Sequence, residues 1–193
     1  ADINVKPDKQ FTLSHIGTLN AARNPKSLWK VLGELVQFHE DISRDLRIQL
    51  IGKIDFSVTE DLEKNGLSDK LIKADYIQHN EAIIRQQSSQ VLLLLINNTQ
   101  NAKGVLTGKF FEYLASGRLI LAVGPSDGDV AEVLRETGAG QIADFEDEQG
   151  MKSIVLDYYE NYKKGELAVA VHSIEKYSRK ELTERLANLL NSM

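Results

Sequence analysis

One segment of this chain combines a glycine-rich loop, a cation and a carboxylate at spacings that suit a phosphorylated ligand. The segment runs from Gly104 to Gly124 and reads GVLTGKFFEYLASGRLILAVG. Its pattern predicts a helix that begins near Thr107 and ends at Gly117, followed by a buried strand. The first turn of a helix has free backbone N–H groups and partial positive charge, so it binds anions readily. The segment therefore predicts a phosphate site at the start of this helix.

Two charged side chains of the same helix could contact such a ligand. Lys109 and Glu112 are three residues apart, and Gly108 and Glu112 are four apart, so they lie on one face. A phosphate at the helix start would leave Glu112 beside whatever is attached to that phosphate. The residues alone leave a simpler interpretation open, a surface ion pair between Lys109 and Glu112 worth about 0.2–0.5 kcal/mol.

Other motifs that could signal chemistry are incomplete. Gly104-x3-Gly108-Lys109 differs from a P-loop, which has four residues between its glycines and Ser or Thr after its lysine. The four histidines have no metal-ligand spacing, and the acidic run at 145–148 lacks the calcium-loop pattern. These patterns disfavour an NTPase and predict no metal site.

Size and composition restrict the class of protein. The chain has 193 residues, of which 42% are hydrophobic and 26% are charged, as in ordinary globular domains. The net charge of −5 disfavours general binding to nucleic acid. The chain contains no cysteine, which excludes disulfides and cysteine nucleophiles. The longest apolar run, at 91–96, is too short to span a bilayer and fits a buried strand, and no signal peptide is visible.

Strands and helices alternate along the chain, which predicts an α/β fold with a parallel sheet covered by helices on both faces. Asn24 and Pro25 are predicted as the N-cap and first residue of a helix. We expect strands at 11–16, 47–51, 71–77, 91–96, 118–123 and 140–143, and further helices at 58–65, 81–87, 130–137 and 153–164. A last amphipathic helix is predicted from Leu182, Leu186, Leu189 and Leu190.

In such sheets ligands bind beyond the carboxyl ends of the strands, so the loops that follow strands are the candidate sites. Arg23 follows the first strand, at a position where a solvated arginine is common. His15 lies near the end of an apolar strand, which favours a hydrogen-bonded core histidine over a catalytic one. His79 is expected on a loop after a strand and is the better ligand candidate of the two histidines.

The sequence from Gly108 to Gly140, GKFFEYLASGRLILAVGPSDGDVAEVLRETGAG, resembles the nucleotide-binding half of GT-B glycosyltransferases, especially family 4. In that family a segment K-l-F-E-Y-l-a-a-G-k-P-i-l-a follows a loop that cradles the donor diphosphate. Upstream, HIGTLNAARNPKSLWKVLGEL resembles the family's first strand, glycine loop and helix, and IQLIGKI resembles its second strand. ADYIQHNEAIIRQQSSQVLLLL resembles its base-binding loop, helix and central strand. The order matches over about residues 11–145, and the final SRKELTERLANLL resembles the family's closing helix.

The resemblance implies a role for each matching residue. Glu112 matches the second glutamate of the family's Glu-x7-Glu motif, which binds the ribose hydroxyls of the donor; a carboxylate is a suitable acceptor for a cis-diol. The residues implied to contact the base are Ile77, Gln78, His79 and Asn80. Those implied to bind the diphosphate are Gly17, Thr18, Arg23, Gly104, Thr107, Gly108 and Lys109.

This sequence departs from the family pattern at two positions. The first glutamate of Glu-x7-Glu falls on Gly104, and the family's first-loop arginine falls on Thr18. One cation of the usual pair is therefore absent, and Lys109 or Lys26 would replace it. The resemblance identifies no catalytic residue.

The resemblance implies a Rossmann-like three-layer αβα sandwich with about six parallel strands, one half of a GT-B fold. Residues 1–193 would form a single donor-binding domain, and the N-terminal acceptor domain would lie outside this sequence. The parent enzyme would be a hexosyltransferase that moves a sugar from a nucleotide-diphosphate donor to a glycan or lipid-linked acceptor. It would act in cell-envelope polysaccharide synthesis without a cofactor or metal, in the cytoplasm or peripherally at the inner face of the membrane. Two alternatives stay open, a nucleotide-sugar 2-epimerase of the same architecture and a non-catalytic module that binds nucleotide or protein.

Overall fold

Six parallel strands form one sheet in the computed structural model, which describes residues 5–167, 174–177, 181, 183–184, 187–188 and 190. The strands are β1 (Phe11–Ile16), β2 (Leu46–Ile51), β3 (Leu71–Ala74), β4 (Val91–Leu95), β5 (Leu119–Val123) and β6 (Gly140–Ala143). The α-helices within residues 5–167 are α1 (Lys26–Phe38), α2 (Glu40–Asp45), α3 (Phe56–Lys64), α4 (His79–Ser88), α5 (Gly108–Ala115), α6 (Asp129–Thr137) and α7 (Glu148–Lys164). The predicted alternation of strand and helix is confirmed.

The strand order is β3-β2-β1-β4-β5-β6. The chain builds the sheet outward from β1 to β3 and then in the opposite direction from β4 to β6. The order therefore reverses between β1 and β4, which is where ligands bind in open α/β sheets. The prediction that 91–96 forms an interior strand is confirmed, because β4 lies between β1 and β5.

Helices cover both faces of the sheet, so the central strand is apolar on both sides. Leu93 and Leu95 belong to the core shared with α1, α3 and α7. Leu92 and Leu94 belong to the core shared with α5 and α6. Each fully buried leucine contributes roughly 1.5–3 kcal/mol relative to an exposed one. The run VLLLL thus holds both helix layers on the sheet, which gives the expected three-layer αβα sandwich.

The predicted start of the first helix was wrong by one residue, because Pro25 rather than Asn24 is at the N-cap position. Helix α1 begins at Lys26, and no side chain caps it. The Asn24 amide instead donates to Asp61 Oδ2 at 2.7 Å, and its oxygen accepts from Trp29 Nε1 at 2.8 Å. The Asn24 side chain thus forms a tertiary contact with α3 instead of capping a helix, which is the role that its local propensity favours.

Four other boundaries differ from expectation, and two of them move predicted site residues. The apolar stripe after Pro25 is divided between α1 and α2 at His39. Strand β3 ends at Ala74, so 75–78 is a loop. Helix α4 begins at His79, so His79 and Asn80 form its first turn rather than part of a loop. Helix α7 begins before its predicted start because Asp147 caps it, accepting from Gly150 N–H at 2.9 Å.

The C-terminal prediction is only partly covered by the structure. Leu182, Leu186 and Leu189 lie outside the described residues, while Leu190 has helical backbone and is exposed. Among the helices of the described residues, none has both the length and the apolar character needed to cross a membrane.

Candidate functional site

Strands β1 and β4 separate before they end. They pair at Leu13–Val91 and Ser14–Leu92, and the pairing stops there. On its other side β1 stays paired with β2 through Ile16, and the following Gly17 N–H donates to Ile51 O at 2.7 Å. The separation leaves a crevice at the carboxyl end of the sheet, at the point where the strand order reverses.

A cavity of about 360 Å³ lies at this crevice. The end of β4, the loop that follows it and the start of α5 form its wall, together with Arg23 from the loop after β1. Its polar lining comes from Arg23, Asn97, Thr99, Asn101, Thr107 and Lys109. The structure therefore brings together three of the predicted diphosphate residues, Arg23, Thr107 and Lys109.

The start of α5 has the expected local chemistry. Thr107 caps the helix, with its Oγ1 accepting from Phe110 N–H at 3.3 Å. A Cβ added to Gly104 or Gly108 would meet no atom within 4 Å. Phe110 N–H is thus occupied by Thr107, whereas the N–H groups of Gly108 and Lys109 have no partner among the described residues. These two donors remain available to an anion.

Lys109 and Arg23 place two positive charges beside this space. Lys109 Nζ lies against Gly17, where it occupies the position that a Cβ on that residue would take. No described residue accepts a hydrogen bond from Lys109 Nζ or from the buried Nε of Arg23. Burial and then the charge of Arg23 lower the pKa of Lys109 to about 8, and the charge of Glu112 opposes them. An anion bound between the two cations would relieve their repulsion and supply the absent acceptors.

The two predicted replacements for the absent arginine are in different surroundings. Lys26 is 73% exposed at its side chain, and its Nζ lies 3.9 Å from Asp61 Oδ2. Lys109 is half-buried and shares the cavity with Arg23. Thr18, where the family has its arginine, is exposed and directly follows Gly17. Lys109 therefore lies next to the position of the absent cation.

The predicted ribose and base residues lie outside the cavity. Glu112 is exposed on α5, and its Oε2 lies 3.5 Å from Gln86 Nε2 of α4. Glu112 is thus located between Lys109 and α4, and it is not buried in the core. None of the four residues at 77–80 is among those that line the cavity. Ile77 packs against the core beneath α5 and α6, while Gln78, His79 and Asn80 are exposed where α4 begins.

Two buried side chains in the crevice were not predicted to be part of the site. His15 is fully buried as expected, with Nδ1 3.1 Å from Leu93 O, but its Nε2 has no hydrogen-bond partner. Burial and the nearby charge of Lys109 lower the pKa of His15 to about 3. Tyr113 Oη accepts from Ile16 N–H at 3.0 Å. The only sequence signal for Tyr113 was its place one turn after Lys109 on the same helix.

The turn at 124–128 has the G-x-S-x-G spacing of a nucleophile elbow, between β5 and α6. Ser126 is its central residue. The Ser126 hydroxyl donates to Asp144 Oδ2, and Ser126 N–H donates to Asp144 Oδ1 at 3.1 Å. No histidine of the described residues is bonded to Ser126, so we interpret these bonds as closing the turn.

Comparison with known proteins gives a likeness of fold. No protein-family profile and no curated protein sequence matches the chain. HepE from Anabaena, crystallised in complex with UDP, has a TM-score of 0.70 at 14% identity, covering 96% of this chain and 50% of HepE. The C-terminal domain of LpcC, a glycosyl transferase group 1 family protein from Francisella tularensis, has a TM-score of 0.61 at 13% identity, covering 86% of this chain and 83% of that domain.

WaaG, a glycosyltransferase involved in lipopolysaccharide biosynthesis, has a TM-score of 0.58 at 12% identity. The match covers 82% of this chain and 43% of WaaG. This chain therefore spans about half the length of HepE and WaaG. Together with the parallel sheet and its strand order, these likenesses show that the chain has the fold of a GT-B glycosyltransferase domain.

Proposed function

We propose that this chain is the donor-binding domain of a family 4-like glycosyltransferase. The parent enzyme would transfer a hexose from a nucleotide-diphosphate donor to a glycan or lipid-linked acceptor. One observation carries the proposal most strongly: Lys109 and Arg23 converge beside the open start of α5, and no described residue accepts a hydrogen bond from Lys109 Nζ or Arg23 Nε. Such a site suits the diphosphate of a nucleotide sugar.

The proposed chemistry of the site is electrostatic. Negative charge develops on the diphosphate as the bond to the sugar breaks. The N–H groups of α5, Arg23 and Lys109 would stabilise that charge in place before the reaction, which lowers the barrier. Lys109 would supply the cation that the family places at the position of Thr18. No step of this kind requires a metal ion, so we expect a metal-independent enzyme.

The remaining donor contacts are those that the resemblance to family 4 implies. Glu112 would accept hydrogen bonds from the ribose hydroxyls, because it lies beside Lys109 and its carboxylate is exposed. The residues at 77–80 would contact the base. Since the chain spans about half of HepE and WaaG, the acceptor would bind to an N-terminal domain outside this sequence. We extend the proposal to a cytoplasmic enzyme of cell-envelope polysaccharide synthesis that associates peripherally with the membrane.

Calorimetric titration with UDP, GDP, ADP and pyrophosphate tests this function. We expect one nucleoside diphosphate to bind in preference to the others, and HepE makes UDP the first to try. Binding should be unchanged by EDTA. The isolated chain should not turn over nucleotide sugars, because the acceptor half is absent. Failure to bind any of the four compounds, or turnover at about 1 s⁻¹ or more by this chain alone, would contradict the proposal.

The Glu112→Ala substitution tests the ribose contact. It should weaken nucleoside diphosphate binding by about 1–3 kcal/mol, the range for losing hydrogen bonds to a charged group. Pyrophosphate, which has no ribose, should bind as tightly as before. The free energy of unfolding should change little, because the side chain is exposed.

The matched control for this test is Glu63→Ala, which removes an exposed glutamate from α3 on the other face of the sheet. It should leave both affinities unchanged. Equal losses of nucleotide and pyrophosphate affinity in Glu112→Ala would show that the carboxylate acts on the phosphates instead. An unchanged nucleotide affinity would remove Glu112 from the site.

A further inference from the structure

At the crevice between β1 and β4, one backbone hydrogen bond of the sheet is missing. Gly17 N–H bonds to β2, so the alternation along a parallel strand directs the N–H of Ile16 toward β4. In the register set by the Ser14–Leu92 pair, Ile16 N–H would donate to Leu93 O. The structure contains no such bond, because the strands have already separated.

Two side chains take the place of this backbone bond. His15 Nδ1 lies 3.1 Å from Leu93 O, and Tyr113 Oη accepts from Ile16 N–H at 3.0 Å. Both side chains are fully buried. An unpaired backbone group in such a place would cost free energy, so these two contacts allow the strands to stay apart.

Tyr113 also belongs to the helix that carries the predicted phosphate site. Tyr113 and Lys109 are four residues apart and so lie on one face of α5. Tyr113 bonds to Ile16, and Lys109 Nζ lies against the next residue, Gly17. The hydrogen bond between Tyr113 Oη and Ile16 N–H thus fixes the distance of α5 from β1 at the point where Lys109 Nζ contacts Gly17.

His15 has one polar atom that a purely structural role leaves unexplained. Donation to Leu93 O requires the hydrogen on Nδ1, so Nε2 of the neutral ring is an acceptor. That acceptor is buried and has no hydrogen-bond partner, as is also true of Arg23 Nε, and the backbone of Thr18 lies beside the ring. His15 is two residues before Gly17, against which Lys109 Nζ lies.

We propose that His15 and Tyr113 are positioning residues of the anion site. They replace the bond between Ile16 and Leu93, hold β1 and β4 apart, and thereby keep Lys109 over Gly17 beside Arg23. The proposal rests on the proposed function, because it assumes that this site binds a diphosphate. Neither side chain needs to touch the ligand.

A pair of tyrosine variants separates positioning from stability. Tyr113→Phe removes the acceptor for Ile16 N–H, and Tyr158→Phe removes a comparable buried bond, from Tyr158 Oη to Ile120 O at the start of β5. Both variants should lose stability in urea unfolding. Only Tyr113→Phe should also lose pyrophosphate affinity, by about tenfold or more, since small displacements of a charged group have large effects on binding. Equal pyrophosphate affinity in the two variants would overturn the role of Tyr113.

Histidine variants test the other half of the proposal. His15→Asn keeps a side-chain N–H near the position of Nδ1, whereas His15→Leu fills similar space without a donor. We expect the asparagine variant to retain pyrophosphate affinity within about threefold and the leucine variant to lose about tenfold or more. If both folded variants bind as the wild type does, or if asparagine gives no rescue, His15 is not a positioning residue.

Nuclear magnetic resonance of the wild-type chain keeps the proposal testable if a variant fails to fold. Long-range ¹H–¹⁵N spectra should show the Nδ1–H form of His15, with a resonance of Nε2 that moves when pyrophosphate is added. The Nε2–H form, or a ring unaffected by saturating pyrophosphate, would overturn it. Absence of pyrophosphate and nucleotide binding by the wild type would instead count against the proposed function, so the two failures are distinguishable.

Discussion

Replacing Gly108 with valine should abolish tight binding of UDP or GDP while the domain stays folded. Gly108 is the first residue of α5, and a Cβ there enters open space. That space is where the proposed diphosphate would approach the helix N–H groups, so a branched side chain would exclude it. We expect an affinity loss of about a hundredfold or more by calorimetry, because several charge-assisted hydrogen bonds are lost together.

The fold should tolerate the substitution for two reasons. No atom lies within 4 Å of the added Cβ, and valine is no worse than glycine inside a helix. The matched control is Ala115→Val at the far, exposed end of α5, which adds a similar side chain to the same helix away from the site. Binding of the bare nucleoside should change less than binding of the diphosphate. Normal diphosphate affinity in Gly108→Val would move the phosphate site elsewhere.

Replacing Lys109 with methionine should weaken diphosphate binding and at the same time stabilise the empty domain. Methionine keeps the length of the side chain and removes a half-buried charge that Arg23 repels. We expect affinity for UDP or pyrophosphate to fall about ten- to a hundredfold, as for a lost charge-assisted bond. The free energy of unfolding in urea at neutral pH should rise, because desolvation and repulsion of the ammonium no longer oppose folding.

The control for charge alone is Lys152→Met on α7, whose Nζ lies 3.8 Å from Glu34 Oε2 on the other face of the sheet. It should leave affinity nearly unchanged and should not stabilise the fold. If Lys109→Met loses stability and keeps its affinity, Lys109 is a structural lysine rather than a ligand of the diphosphate.

The same residue predicts the pH dependence of binding and of stability. A bound anion would raise the pKa of Lys109 from about 8, so binding takes up protons and affinity should fall as pH rises above about 8. In folding, the pKa is lower in the native state than the ordinary value of 10.5, so the unfolded chain holds more protons between those values. The free energy of unfolding should therefore rise with pH across that range. Both trends should disappear in Lys109→Met.

Local patterns were sufficient for the parts of this fold that depend on neighbours in sequence. The apolar run of β4 indicated a strand buried on both faces, and Thr107 followed by Gly108 indicated where α5 begins. Strand periodicity and helix capping involve residues a few positions apart, so their signals are present in a short window of sequence. The resemblance to GT-B enzymes then led to Arg23 and Lys109, which the fold brings into one cavity.

Only the tertiary structure decided how the crevice is built. The Asn24 side chain bonds to α3 instead of capping α1, and His15, although buried and bonded to Leu93 O as expected, has no partner at Nε2. The bond from Ile16 to Tyr113 joins residues 97 positions apart, and Lys109 meets Gly17 across a similar separation. No periodicity or cap relates residues at such distances. Their contact depends on where β1 and β4 separate and how α5 packs on them, which is a property of the whole packed sheet.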